Sequence, residues 1–239
     1  SDGDYPVWLN LPRVTYTVEN GIVTATQPDA DKAHFEIRVR ALAEDGVSLW
    51  NGFEQRSLVV TTSEDVVDPN DGVISLREAI AYQQELRAIG LNPEAVTFAE
   101  HISTVKLESP IDITTYDVVI SADPAARVTI DSSYGAEGHG ALSVDGCTLE
   151  VSGLEFTGGD AGSPEGSAIT VTNGGNLNGY ACVFTGNASA VDGGVVYSDD
   201  HSNLCIVSSF FKDNSGVMIN ANNSGAIANC TIVIDGDNG

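Results

Sequence analysis

Residues 167–193 read SAITVTNGGNLNGYACVFTGNASAVDG, and this stretch decides the fold. Short apolar runs around Ile169, Val171, Leu177 and Phe184 alternate with polar residues and are broken by Asn and Gly, with no helical period. The stretch has neighbours of the same design. GALSVDGCTLEVSGLEFTGGDAGSPEG spans 140–166, GVVYSDDHSNLCIVSSFFKDNSG spans 194–216, and VMINANNSGAIANCTIVIDGDNG spans 217–239. The units are 27, 27, 23 and 23 residues long. Strands this short cannot pair within one unit, so each unit must stack on the next. The geometry that meets this demand is a parallel β-helix with one coil per repeat, each coil rising about 4.8 Å. Val105-Lys106-Leu107, Val118-Val119-Ile120 and Val128-Thr129-Ile130 read as strands of earlier, less regular coils.

Working outward, residues 61–95 change character. An acidic loop rich in Asp, Pro and Gly precedes Ser75-Leu76-Arg77-Glu78, which fits a capping box with Ser75 as N-cap. Leu76, Ala79, Ile80, Leu86 and Ile89 fall on one helical stripe, and Gly90 is a plausible stop. The helix is placed to plug the first coil, hiding an apolar end and an edge that would otherwise aggregate. Residues 1–60 alternate as antiparallel strands do. Val14–Val18 and Ile22–Thr26 flank the turn Glu19-Asn20-Gly21, Phe35–Ala41 forms a half-exposed strand, and Ser57–Val60 is the last strand of the module. The expectation is an all-β fold: a right-handed single-stranded parallel β-helix over 96–239, a capping α-helix within 61–95, and a small antiparallel β module over 1–60. The hand follows the preference of parallel crossovers.

Composition bounds the function. Of 239 residues, 34 are acidic and 10 basic, a formal net charge of −24. That argues against nucleic-acid binding, which needs a basic face, and against docking on anionic lipid without bridging cations. No window of 18 apolar residues offers a membrane helix, so direct insertion is not expected. The chain begins at Ser1 and reads as a processed or excised piece. Its low-basic, Gly/Asn/Ser/Thr-rich second half suits an extracellular or cell-surface protein.

Two motifs carry a family resemblance. Asp71-Gly72-Val73-Ile74-Ser75-Leu76-Arg77-Glu78-Ala79-Ile80 resembles the CSLREA motif that precedes bacterial surface β-helices, with Ile74 where that motif has Cys. Phe184-Thr185-Gly186-Asn187 and Phe211-Lys212-Asp213-Asn214, with Gly193-Gly194-Val195-Val196 between them, resemble the FxxN and GGxI repeats of polymorphic outer membrane proteins. Phe156-Thr157-Gly158-Gly159 is a copy without the Asn. Residues 35–50 also resemble the last two strands of a fibronectin type III module, although the region is too short for the whole sandwich. The resemblance covers roughly 59–239. It implies a secreted, surface-displayed β-helix without catalysis, acting as adhesin, stalk or display scaffold. Its expected partners are further domains of a larger surface protein, other copies of the chain, or glycans. Phe156, Phe184 and Phe211 would stack as a ladder. Asn187 and Asn214 would take a left-handed corner and bond their neighbours, and Gly193-Gly194 would allow another corner.

Candidate chemistry is sparse. Asp65, Asp68 and Asp71 offer oxygen ligands for calcium, against a reading in which Asp71 favours the helix start and pairs with Arg77. No other cofactor is expected. Gly138-His139-Gly140 and Asp199-Asp200-His201 are similar to polygalacturonase motifs, in inverted order. Asp199 and Asp200, adjacent on a strand, would face opposite ways, whereas glycoside hydrolysis needs two carboxylates across one bond. A polysaccharide-binding or -cleaving β-helix therefore stays an alternative, as does a self-assembling subunit joined through Val217, Ile219, Ile227, Ile232 and Ile234 of the last coil. Aligning the repeats on Phe156, Phe184, Phe211 and Ile232 puts Cys182 and Cys230 two coils apart, beyond disulfide reach. Cys147, Cys182, Cys205 and Cys230 are expected as small buried thiols. Tyr180 and Tyr197 are open to a sugar-binding role.

Overall fold

A computed structural model describes residues 56–234, except Asn70, 136–137, 162–164 and Val191, together with the three strands Thr15–Glu19, Ile22–Thr26 and Glu36–Arg40. Those three strands form an antiparallel sheet in chain order. Glu19, expected in the turn, ends the first strand instead and pairs with Ile22.

From residue 104 the chain coils, and three parallel sheets result. The first face stacks Ile111–Ile113, Leu142–Asp145, Gly166–Thr172, Gly194–Ser198 and Ile219–Ala221. The second stacks Val118–Ser121, Thr148–Ser152, Asn176–Tyr180, Asn203–Val207 and Gly225–Ala228. The third stacks Thr104–Lys106, Val128–Asp131, Leu154–Thr157, Val183–Thr185, Phe210–Lys212 and Thr231–Ile232. Each coil contributes one strand to each face, so the fold is a parallel β-helix. Alternation within a strand sends every second side chain inward. On the first face Ile111, Leu142, Ile169 and Val196 form one inward column, and on the second Val118, Leu149, Leu177 and Leu204 form another. On the third face Val105, Ile130, Phe156, Phe184, Phe211 and Ile232 are in register. All of these from Val105 to Phe211 are buried.

The corner between the second and third faces is one residue in the left-handed region: Gly153 (φ 68°), then Ala181 (52°), Ser208 (53°) and Asn229 (53°) in successive coils. Non-glycine residues there cost on the order of 1 kcal/mol each, and coil stacking holds them. Past the third face the left-handed residues are Gly158, Gly186 and Asp213. The corner geometry therefore belongs to the residue before each Asn of the FxxN motif, not to Asn187 or Asn214 themselves. Gly193 and Gly194 serve close approach: a Cβ would meet the Glu165 carbonyl at 2.4 Å and the Val196 carbonyl at 2.6 Å, respectively.

The helix runs Leu76–Ala88 with Ser75 as N-cap and a complete capping box. Leu76, Ala79, Ile80 and Leu86 are buried as the stripe predicts, joined by Tyr82 and Gln83. Ile89 is 73% exposed, because the helix has ended and Ile89 is its C-cap. Gln83 explains how the helix closes the coil edge. Its Nε2 donates to the carbonyls of Glu94 (2.7 Å) and Val119 (3.1 Å), and its Oε1 accepts the Val119 N–H at 2.9 Å. One side-chain amide thus completes the edge of Val118–Ser121 beside the single parallel bridge from Val96 to Ile120. Val59–Val60 differs from expectation. It pairs in parallel with Thr97–Phe98, and Leu58 and Val60 belong to the core shared with the helix. This last strand is part of the cap, not of the antiparallel module, because its apolar side chains find the β-helix core.

Candidate functional site

The motif residues around the helix start converge on one clamp. Ser75 Oγ accepts the Glu78 N–H (3.2 Å) and donates to the Val66 carbonyl (2.6 Å), while Glu78 Oε2 accepts the Ser75 N–H (2.9 Å). Glu78 Oε1 also accepts the Asp68 N–H at 2.9 Å. Arg77 makes a two-point contact with Asp65, Nε to Oδ1 at 2.9 Å and Nη2 to Oδ2 at 2.7 Å. The same guanidinium reaches the carbonyls of Ser109 and Pro110, both at 2.9 Å. Loop, helix and first coil are thereby tied through a single fork. Leu76 and Ala79 supply the apolar side of the clamp.

This geometry relocates the expected ion pair: Arg77 is held by Asp65, not Asp71. Asp71 Oδ1 instead accepts the Val73 N–H at 3.0 Å. Burial raises the Asp65 pKa, but the Arg77 and Glu108 hydrogen bonds outweigh it and leave the carboxyl below its ordinary value. Asp65, Asp68 and Asp71 do not bring their carboxylates together. Among the described residues, Asp199, Asp200 and His201 are the group whose ligand atoms converge.

The FxxN columns form a second constellation. The Phe156 and Phe184 rings stack at 5.3 Å between centroids, and Phe184 and Phe211 at 4.5 Å, with planes within 12°. Asn187 is buried. Its Nδ2 donates to the Phe156 carbonyl (3.0 Å), the Thr185 carbonyl (3.2 Å) and Asn214 Oδ1 (3.1 Å). Its Oδ1 accepts the Gly159 N–H at 3.1 Å. Asn214 repeats the pattern one coil on, donating to the Phe184 carbonyl at 2.9 Å. The Asn amides replace backbone partners at a corner where the sheets cannot supply them.

The remaining candidates separate. His139 is buried, with Nδ1 2.8 Å from the Gly140 carbonyl. Asp199 and Asp200 lie in a turn beyond the strand Gly194–Ser198, so the alternation rule for strands does not apply to them. All four cysteines are free thiols. Cys147 and Cys182 are buried, and burial pushes the Cys182 thiol up to about 11. Cys205 and Cys230 are only partly buried and depart from the buried-thiol expectation; Cys205 does so because of its row. It sits between Leu204 and Ile206, both inward, so it takes the outer row of the second face, beside Asn178 and Ala226. Tyr180 is 57% exposed and in register with Ser152 and Val207, whereas Tyr197 is buried.

Two features carried no readable sequence signal. Gln83 is a polar residue on an apolar helix face, and only its docking shows why. Asp65 was one acidic residue among several until Arg77 and Glu108 singled it out. Among the described residues, no helix is long and apolar enough to cross a membrane. No family model, curated protein or solved structure matches the chain.

Proposed function

We propose that this chain is a non-catalytic extracellular β-helix of the surface-displayed kind that its SLREA and FxxN motifs resemble. In this reading it works as an adhesin, stalk or display scaffold. The observation that carries the reading is where the motif residues spend their polar groups. Ser75, Arg77 and Glu78 bind loop and coil, and Asn187 and Asn214 bind neighbouring coils. The motifs serve the integrity of a stacked shaft and leave its outer rows to vary. Glycans are the favoured partner class, since Tyr180 presents an exposed amphipathic ring on the second face, between Ser152 and Val207. The test is a glycan array probed with the purified chain and with Tyr180→Ala. Binding lost in the variant supports the adhesin reading. New reducing ends or unsaturated products from polysaccharides would replace it with catalysis.

A further inference from the structure

Four outward side chains at the corner between the second and third faces are apolar or aromatic. Tyr180 and Val207 end their strands on the second face, in register with each other. One left-handed residue later, at Ala181 and Ser208, the chain enters the third face, where Val183 and Phe210 are in register. Their strand neighbours Ile206, Phe184 and Phe211 are buried, so alternation points these four side chains out. Tyr180 is largely exposed, and Val183, Val207 and Phe210 are half-buried.

Arg127 brings a cation to the same corner. It precedes Val128, the register partner of Leu154, and its side chain reaches across the coil of Gly153 to the next one. There Nη1 donates to the carbonyl of Ala181, the residue after Tyr180. That bond fixes the guanidinium, and among the described residues its other N–H groups have no partner. Lys106 and Lys212, the other cations of residues 96–234, pair with Glu64 at 2.8 Å and Asp213 at 3.8 Å. Arg127 has no carboxylate within salt-bridge reach among the described residues. In a chain of net charge −24, this corner thus pairs an unmatched cation with an exposed aromatic ring.

We propose that this corner is the glycan site and that its ligand is an acidic glycan. The inference rests on the adhesin reading above and narrows it. A uronate carboxylate takes the open edge of the Arg127 guanidinium, the fork geometry that arginine offers to carboxylates. The sugar ring lies on Tyr180, and Val207 and Phe210, one coil or about 4.8 Å further on, form the apolar wall for the adjoining sugar. Asp123, in the loop before Arg127, and Glu155, in register with Val183, share the corner. Their charges disfavour a dense polyanion, so the ligand carries its carboxylates apart, between neutral sugars.

The experiment is calorimetric titration of the purified chain with hyaluronan oligosaccharides, which alternate glucuronate with a neutral sugar. Their methyl esters, which keep the rings and lose the charge, are titrated beside them. The expected result is at least about tenfold tighter binding of the acid form, the scale of one charge-assisted hydrogen bond. Arg127→Gln removes that preference and leaves the affinity for the ester unchanged, whereas Tyr180→Ala weakens both forms. Lys212→Gln, at a cation already paired, changes neither. Equal binding of acid and ester to the unaltered chain overturns the acidic class and leaves the glycan reading standing, and that comparison needs no variant to fold. A preference that survives Arg127→Gln in folded protein also overturns the inference, because the anionic contact then lies elsewhere. Binding of neither form overturns it as well, and a glycan array that is blank throughout removes the wider reading with it.

Discussion

Replacing Asn187 by Ala should be among the costliest single polar changes in the β-helix. Asn187 is 2% exposed; its two amide hydrogens are shared among three oxygens, and its Oδ1 accepts one N–H. Alanine leaves the Gly159 N–H without its acceptor inside the corner. An orphaned buried donor costs about 1–3 kcal/mol, and each lost hydrogen bond about 1 kcal/mol net. The carbonyls of Phe156 and Thr185 keep a second lone pair for other donors, so the losses do not sum fully. The expected destabilisation is about 3 kcal/mol. For a chain of this size it lowers the melting temperature by roughly 10 °C. Asn214→Ala is the internal comparison. Asn214 is only partly buried, water can reach its partners, and the expected cost is about 1 kcal/mol. Asn187→Asp should exceed even the alanine change at neutral pH. It sets a carboxylate against three oxygens that now receive N–H groups. The assay is guanidinium unfolding followed by far-ultraviolet circular dichroism. Equal costs for Asn187→Ala and Asn214→Ala, or a cost below about 1 kcal/mol for both, would refute the claim that this ladder holds the coils together.

Three further outcomes follow from single observations. Gly179 is a buried strand residue in the inward column between Val151 and Ile206, and an added Cβ would meet only ordinary contacts at 3.8–3.9 Å. Gly179→Ala should therefore stabilise by about 1 kcal/mol, read as a higher unfolding midpoint, and a lower midpoint would contradict the packing. Asp65 has a folded pKa below its unfolded value, so its contribution is present above the unfolded value of about 4 and is lost as pH falls through the folded pKa. Asp65→Asn should lower the melting temperature at pH 7 and flatten its decline on acidification, and an unchanged acid limb would show that the clamp does not titrate with folding. Brief maleimide labelling followed by peptide mass mapping should modify Cys205 before Cys182, whose thiol is buried and raised to about 11; the reverse order would invert the assigned faces.

How much of this was legible in the sequence depends on whether a residue's role is local or is set by its docking. The capping box was legible because Ser75 and Glu78 satisfy each other within one turn. The pairing of Thr15–Glu19 with Ile22–Thr26 was legible because Asn-Gly between two alternating runs is a local hairpin signal. The Phe column was legible because a repeat stacks like on like, and aligning the phenylalanines reproduced the observed register as far as Ile232. Roles set across coils were not legible. Arg77 was expected to pair with Asp71, and only the position of Ser109 and Pro110 selects Asp65. The left-handed corners fell on Gly186 and Asp213 because the Asn amide must reach back across the turn. Asp199 and Asp200 were read as strand neighbours facing apart, and the turn that gathers them with His201 has no period to read.

The central claim is that coils stack in this register, and one cross-link tests it most directly. Cys182 and Ser209 are neighbours on adjacent coils: the Cys182 N–H donates to Ser209 Oγ at 3.1 Å, and the Phe210 N–H donates to the Cys182 carbonyl at 2.9 Å. Neighbouring parallel strands lie about 4.8 Å apart, within the Cα separation a disulfide spans. The measurement is peptide mass mapping of the Ser209→Cys variant after treatment with a diffusible thiol oxidant. The account predicts a disulfide joining position 209 to Cys182 or to Cys230, its neighbours on the two adjacent coils. A disulfide from position 209 to Cys147 or Cys205 instead, in protein that remains folded, would contradict the register and the stack built on it.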